Sequence, residues 1–292
     1  MNKTTGTLIV IALYALATYT GYYVLQNYAT GNALIDLLQA DIAATVVIFV
    51  GSIVVRNASM YDAYWSVAPL LFLVYWLEIA DEIADEISVR AMIVSGLVFI
   101  WGARLTYNWY RGWTDMKHED WRYVDLKKKT KFFYPFVNLM GIHIFPTILV
   151  FLGALPLEYA LISDAPLNLF DALAILITVI AIYFETRADH ELFKFRNGPN
   201  RKEGAILSTG IWSVSRHPNY FGEAFFWVGL FVFGLAADGP TWPLVLGPIV
   251  MLGLFLGISI PMIDKRMKAS KPGYEERMKT VPSFFPWYKK II

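Results

Sequence analysis

Gly210-Ile211-Trp212-Ser213-Val214-Ser215-Arg216-His217-Pro218-Asn219-Tyr220-Phe221-Gly222-Glu223 runs directly into Ala224-Phe225-Phe226-Trp227-Val228-Gly229-Leu230, so a polar corner leads without a break into an apolar span. Pro218 fixes φ near the helical value and has no N–H to satisfy, whereas a residue before proline is driven to extended backbone. A helix is therefore predicted to start at Pro218, with Arg216 and His217 just outside it. The unpaired N–H groups of its first turn and the positive end of its dipole suit an anion. Asn219 and Glu223 are four apart and share a face, and a carboxylate one turn into an apolar span is costly unless paired or bound.

The rest of the chain repeats this apolar pattern. It has 292 residues, 57% hydrophobic and 17% charged, gathered into runs near the ~20 residues that cross a bilayer. Eight such runs lie at about 7–26, 33–55, 61–80, 88–108, 137–160, 167–187, 219–237 and 241–263. This predicts an all-α polytopic membrane protein of about eight transmembrane helices, seven being the alternative, in a single integral membrane domain over 1–292. With both termini cytoplasmic, nearly all Lys and Arg fall in the inner connections 56–60, 111–131, 188–218 and the tail from 264; Arg90 alone lies near the outer face. A seven-span layout would put one basic loop outside. The absence of cysteine excludes disulfides, thiolate metal sites and a Cys nucleophile.

Intramembrane charge gives the sharpest functional signal. Asp62, Arg104, Glu185, Asp189 and Glu223 all fall toward the cytoplasmic ends of their spans in this topology, which predicts a polar cavity open to the cytoplasm. For any one of them a structural pair, such as Arg104 with Asp62, is the competing reading. His143 in the fifth span is read as a hydrogen bond between helices, and the four scattered histidines make no metal site. There is no Gly-x-Gly-x-x-Gly after a strand, so a dinucleotide would bind without a Rossmann unit. The loop Asn197-Gly198-Pro199-Asn200-Arg201-Lys202-Glu203-Gly204 is basic and glycine-bearing, and either closes over phosphates or is a solvated turn. Lys127, Lys128, Lys129 and Lys131, beside Trp121 and Tyr123, read as an interfacial segment near anionic lipid.

From Ser59 onward, 59–292, the chain resembles the steroid 5α-reductase superfamily, with its C-terminal domain pattern and most closely a bacterial membrane branch. The residues that carry this are Ser59-Met60-Tyr61-Asp62-Ala63-Tyr64-Trp65-Ser66, Trp101-Gly102-Ala103-Arg104-Leu105-Thr106, Glu119-Asp120-Trp121-Arg122-Tyr123, Phe184-Glu185-Thr186-Arg187-Ala188-Asp189, the corner 216–223, and the tail 274–287. Arg-His-Pro-x-Tyr before a span also occurs in isoprenylcysteine and phospholipid methyltransferases; Asn219, Gly222 and Glu223 tilt the match to the reductases.

The resemblance implies an NADPH-dependent reductase of lipid metabolism, in a bacterial inner membrane, that transfers a hydride to the carbon–carbon double bond of a lipid-like enone, a 3-oxo-Δ4 steroid or an isoprenoid. Its cofactor-binding part is 185–292. By matching position, Asp189 and Arg196 resemble cofactor contacts, Asn219, Tyr220 and Glu223 the residues near the nicotinamide and phosphate ends, and Asp264 and Arg266 the segment that closes the site. Arg201, Lys202, Arg216 and His217 add cations and donors at the helix start, and Arg104 and Glu185 belong to the same polar set. No Gln-Glu dipeptide is present, and Trp101 stands three before Arg104 where the steroid enzymes carry Tyr. An acid for the enolate oxygen is still required; Tyr107, Tyr64 and a buried, protonated Asp62 are the candidates, with Glu223 also in the catalytic set. Two alternatives use the same scaffold: an S-adenosylmethionine-dependent isoprenylcysteine-type methyltransferase, and a non-enzymatic sterol- or lipid-binding membrane protein. No metal and no nucleic acid partner are expected.

Overall fold

The computed structural model describes residues 2–83, 86–199 and 203–286. Among them there is no strand, and eight helical stretches are long and apolar enough to cross a membrane: Lys3–Asn27, Ala33–Val55, Ala58–Ile83, Val89–Gly112, Trp121–Ile162, Leu169–Asn197, Pro218–Ala236 and Thr241–Ser270. Each expected run overlaps one of these, the sixth stretch running ten residues past the expected end, and the protein is an all-helical integral membrane protein. The fifth stretch starts earlier than expected because the segment read as a connection folds into a helix of its own. The chain sorts into two compact units, the first comprising Met1–Ile87 and Ala91–Ala154, the second Ser88–Arg90 and Leu155–Ile292.

The first unit contains α1 (Lys3–Asn27), α2 (Ala33–Val55), α3 (Tyr64–Ile83), α4 (Val89–Gly112, from Ala91), α5 (Trp121–Thr130), α6 (Tyr134–Val137) and α7 (Phe145–Ala154). Asn2 and Asn32 start α1 and α2 by accepting the backbone N–H of Thr5 and Ile35 at 2.8 and 3.1 Å, and Asp120 starts α5 by accepting that of Arg122 at 2.8 Å. Arg56, left-handed at φ 57°, ends α2. Its buried side includes Asp41, Thr45, Ile48 and Ser52, which repeat at helical spacing, and three of these four are polar. A π-helical segment, Asn138–Ile144, joins α6 to α7.

The second unit contains α8 (Pro156–Ile162), α9 (Leu169–Asn197), α10 (Pro218–Ala236), α11 (Thr241–Leu244), α12 (Leu246–Gly253), α13 (Ile260–Ser270) and α14 (Tyr274–Thr280). Gly222 and Gly229 of α10 lie against Ala181, Glu185 and Thr178 of α9 so closely that a methyl group would collide, the way small residues let membrane helices approach. Arg90, read from the sequence as an outer-face cation, is buried: it pairs with Asp171 at 2.8 Å and donates to the carbonyls of Ala165, Pro166 and Ala236. Asp171 also closes a capping box with Asn168 at the start of α9.

Candidate functional site

α10 starts at Pro218, and His217 before it has non-helical φ −136° and ψ 60°. The Arg216 side chain does not point out as a bare cation. Its Nη2 donates to Asp264 at 2.6 Å, its Nη1 to the carbonyls of Val281 and Met278 at 2.7 and 3.2 Å, and its backbone N–H to Pro282 at 2.9 Å. The other Asp264 oxygen accepts from His217 Nε2 at 2.8 Å and from the Tyr274 hydroxyl at 2.6 Å. Ser215 donates to the Phe284 carbonyl at 2.8 Å, Arg277 to the Trp212 carbonyl, and Phe221 packs against Phe284 and Phe285. One carboxylate on α13 thus gathers the Arg-His pair and the tail into a buried knot. Burial, and then the bond to Asp264, hold the Tyr274 hydroxyl above the ordinary phenol range. Among the described residues, the Arg216 Nε has no partner.

Around this knot, Tyr220 stacks between His217 and Phe255, with ring centroids 5.7 and 5.0 Å away. Glu223 is buried and accepts from Trp227 Nε1 at 3.0 Å; Glu185 is buried beside Gly222. Asp189 and Asn219 are half-buried, while Arg196 and Arg266 are exposed. Trp212 donates to the Ala188 carbonyl at 3.1 Å, and the Ile211 N–H to Glu191 at 3.1 Å, so the end of α9 holds the loop that precedes α10. Arg201 and Lys202 lie outside the described residues.

The other sequence candidates belong to the first unit. The hydrogen bond to Asp62 comes from the Tyr123 hydroxyl, at 2.6 Å. Arg104 is half-buried on α4. Tyr107 is 62% exposed with Arg111 over its ring, whereas Tyr64 is 2% exposed and donates to Asp41 at 3.0 Å. Beside that pair, Tyr61 and Thr45 both bond the Thr147 hydroxyl, at 2.7 and 2.9 Å. Among the described residues His143 makes no hydrogen bond to another helix, unlike the bond between helices expected from the sequence. Its Nδ1 bonds the Asn138 carbonyl of its own π-helical turn at 3.0 Å. Asp41 sits inside a run apolar enough to span, where hydropathy averaging hides it, yet it is the only charged residue between Leu37 and Val55, and that isolation is its signal in the sequence. Asn57 binds the carbonyls of Met116 and His118, and the Asp120 N–H donates to Ser59, which explains why Glu119 to Tyr123 is more than a lipid anchor.

These features define a polytopic helical membrane protein that carries one buried polar knot at a helix start and another among apolar spans. Residues 48–281 match the family described as Protein of unknown function (DUF1295), and the chain belongs to that family, which is steroid 5α-reductase-like. It is 28% identical over 284 residues, 89% of this chain and 81% of the relative, to Uncharacterized protein C594.04c of Schizosaccharomyces pombe. No solved structure matches.

Proposed function

We propose that the protein is an NADPH-dependent membrane reductase that saturates the carbon–carbon double bond of a lipid-like enone, a 3-oxo-Δ4 steroid or an isoprenoid, with Tyr64 as the proton donor. The observation that carries this reading is the Tyr64–Asp41 pair, a 2%-exposed phenol bound at 3.0 Å to the one charged residue between Leu37 and Val55. Tyr64 gives its one hydroxyl hydrogen to Asp41 in this structure, and in this reading the hydroxyl turns from Asp41 to the developing enolate oxygen when substrate is bound. Tyr107 is the weaker candidate because its exposed ring does not exclude water.

The second unit fits the nucleotide on chemical grounds. A phosphate needs cations and N–H donors; exposed Arg196 and Arg266 offer charge, and the unpartnered Arg216 Nε and the first turn of α10 offer N–H groups. The buried carboxylates Glu185 and Glu223 repel phosphate but accept from amide or ribose hydroxyl groups, so they suit the other end of such a molecule. NADPH, when bound, supplies the hydride. Arg216, His217 and Asp264 hold the tail, and Asn219, Tyr220 and Asp189 line the same corner in this reading. Exposed Arg196 and Arg266 favour the 2′-phosphate, which predicts preference for NADPH over NADH.

The test uses purified full-length protein in detergent. NADPH identified by mass spectrometry, together with enone-dependent NADPH oxidation lost in Tyr64→Phe and Asp41→Asn, is the expected result. S-adenosylmethionine or its demethylated product bound in its place overturns the reading in favour of a methyltransferase, and affinity for neither cofactor favours a non-enzymatic lipid-binding protein.

A further inference from the structure

Along α2 the first unit buries a file of polar groups that the proposed chemistry leaves unused beyond its last pair. Asn138 is 2% exposed and gives its Nδ2 to Ser52 at 3.5 Å, which leaves Oδ1 without a partner among the described residues. His143 is fully buried between the rings of Phe49 and Tyr61, with centroids 5.5 and 5.1 Å away. Its Nδ1 faces a carbonyl, which only accepts, so Nδ1 carries a hydrogen and Nε2 of the neutral ring is an acceptor; that atom too is unpartnered. At the far end Asp41 accepts from Tyr64 with Oδ1 and leaves Oδ2 unpartnered. Between these, the Thr147 hydroxyl is the meeting point of Tyr61 and Thr45 and donates to the His143 carbonyl at 2.9 Å.

Three features decide what this file takes. First, the unpartnered atoms are a carboxyl oxygen, an imidazole nitrogen and an amide oxygen. All of them accept, so the guest must donate, and a ketone oxygen does not fit. Second, they do not converge. Ser52 is eleven residues after Asp41 on the same helix, about 16 Å at about 1.5 Å per residue, over half of a ~30 Å bilayer core. No single small donor serves atoms that far apart, whereas successive waters do, each bridging two or three buried polar groups. Third, one end reaches the polar surface. The Ser52 carbonyl accepts from the Asn57 N–H at 2.9 Å, and Asn57 is tied to the carbonyl of exposed His118 at 3.0 Å.

We propose that this file is a water-filled proton path from the Ser52–Asn57 end of α2 to the Asp41–Tyr64 pair, and that it restores the proton Tyr64 gives up. The proton role rests on the reductase reading above; the water file does not. NADPH, when bound, would supply the hydride to the β-carbon of the enone, and the π electrons would move to the carbonyl oxygen. That oxygen takes the Tyr64 proton as the Tyr64 O–H bond breaks, and the phenolate regains a proton through the file. One proton from bulk water is consumed for each double bond reduced, and the enol tautomerises to the saturated ketone. Thr45, Tyr61 and Thr147 pass the proton by exchanging donor and acceptor roles, while Asn138 and His143 position the waters.

Hydroxyl-radical labelling of the full-length protein in nanodiscs tests the file directly, because radicals formed from bound water modify the side chains beside it. Tyr61, Tyr64 and His143 are expected to be labelled clearly faster than Trp76 and Phe72, which are equally buried in the same unit and have no polar file beside them. Thr45→Val and Thr147→Val, which keep side-chain volume, are expected to cut labelling of Tyr64 and to leave His143, on the entry side, labelled. Tyr61, Tyr64 and His143 as silent as Trp76 would overturn the proposal. Enone-dependent NADPH oxidation is measured on the same preparations. Thr45→Val is expected to lower kcat by about tenfold, equivalent to about 1.4 kcal/mol, and to raise the solvent deuterium isotope effect. Unchanged kcat and isotope effect in a reducing enzyme overturn the proton role. No enone reduction by the wild type overturns the reductase reading and the recharging role with it, while the labelling pattern decides the water file by itself.

Discussion

Replacing Asp264 by Asn should release the tail. Asp264 faces Arg216 at 2.6 Å with both side chains under 10% exposed, and it also accepts from His217 and Tyr274. Asn keeps the shape but removes the charge, so the Arg216 guanidinium is left buried without its counter-ion. Breaking such a pair from one side costs about 3–5 kcal/mol. The loss falls on the segment that Arg216 and Asp264 hold together, α14 and the stretch up to Phe284, so the local opening of that segment should rise rather than the whole molecule unfold. At about 1.4 kcal/mol per factor of ten, the lower bound of 3 kcal/mol is more than a 100-fold increase in the open population. Limited trypsin digestion after Arg277 and Lys279, followed by mass spectrometry in detergent, reads that population when opening is fast relative to cleavage. Tyr274→Phe removes one hydrogen bond to the same carboxylate, about 1.5–3 kcal/mol, and should give the smaller acceleration. Arg216→Met combined with Asp264→Leu removes both charges and should recover part of the protection. Tail cleavage in Asp264→Asn within about threefold of wild type, or a larger effect from Tyr274→Phe than from Asp264→Asn, would refute this account; threefold is under 0.7 kcal/mol, roughly the worth of an exposed pair.

The Tyr274 hydroxyl is held above the phenol range, so its contribution is complete below the ordinary value of 10 and is lost as pH rises through its folded value; tail cleavage should accelerate in strong alkali in the wild type and lose that component in Tyr274→Phe. Asp171→Ala strands the Arg90 guanidinium, which is 1% exposed, and should cost about 3–5 kcal/mol in denaturant titration in detergent, more than Arg90→Met in a wild-type background. Gly210, at φ +59° with the Glu191 carboxylate where a methyl group would sit, should lose about 1 kcal/mol or more as Gly210→Ala, read as a lower melting temperature. For enone reduction, Tyr64→Phe should cost about 10²–10⁴ in kcat, whereas Tyr107→Phe should change it little because that ring is exposed.

What the sequence makes legible here depends on how far apart the interacting residues are. A span needs only a local excess of apolar residues, and a helix start needs only a proline or an asparagine at the right place. The eight runs and the break before Pro218 are therefore readable without any tertiary information. The partners of the charged residues are not local. Arg216 meets Asp264 forty-eight residues on, Arg90 meets Asp171 eighty-one residues on, and Asp62 meets Tyr123 rather than Arg104, the pairing offered from the sequence. Hydropathy ranks an intramembrane charge by its cost and says nothing of what cancels it. That is why Arg216 reads as a bare cation at a helix start: the anion that matches it is Asp264, six residues before the end of the last span. The same logic separates the two acids of the first unit. Asp62 sits at the polar end of its span, where a composition scan notices it, and it is bound by Tyr123; Asp41 sits deep within an apolar run, where averaging hides it. A leucine at Asp41 would suit the span better but would leave the hydroxyl of a 2%-exposed tyrosine without its partner, so the carboxyl and the phenol stand or fall together.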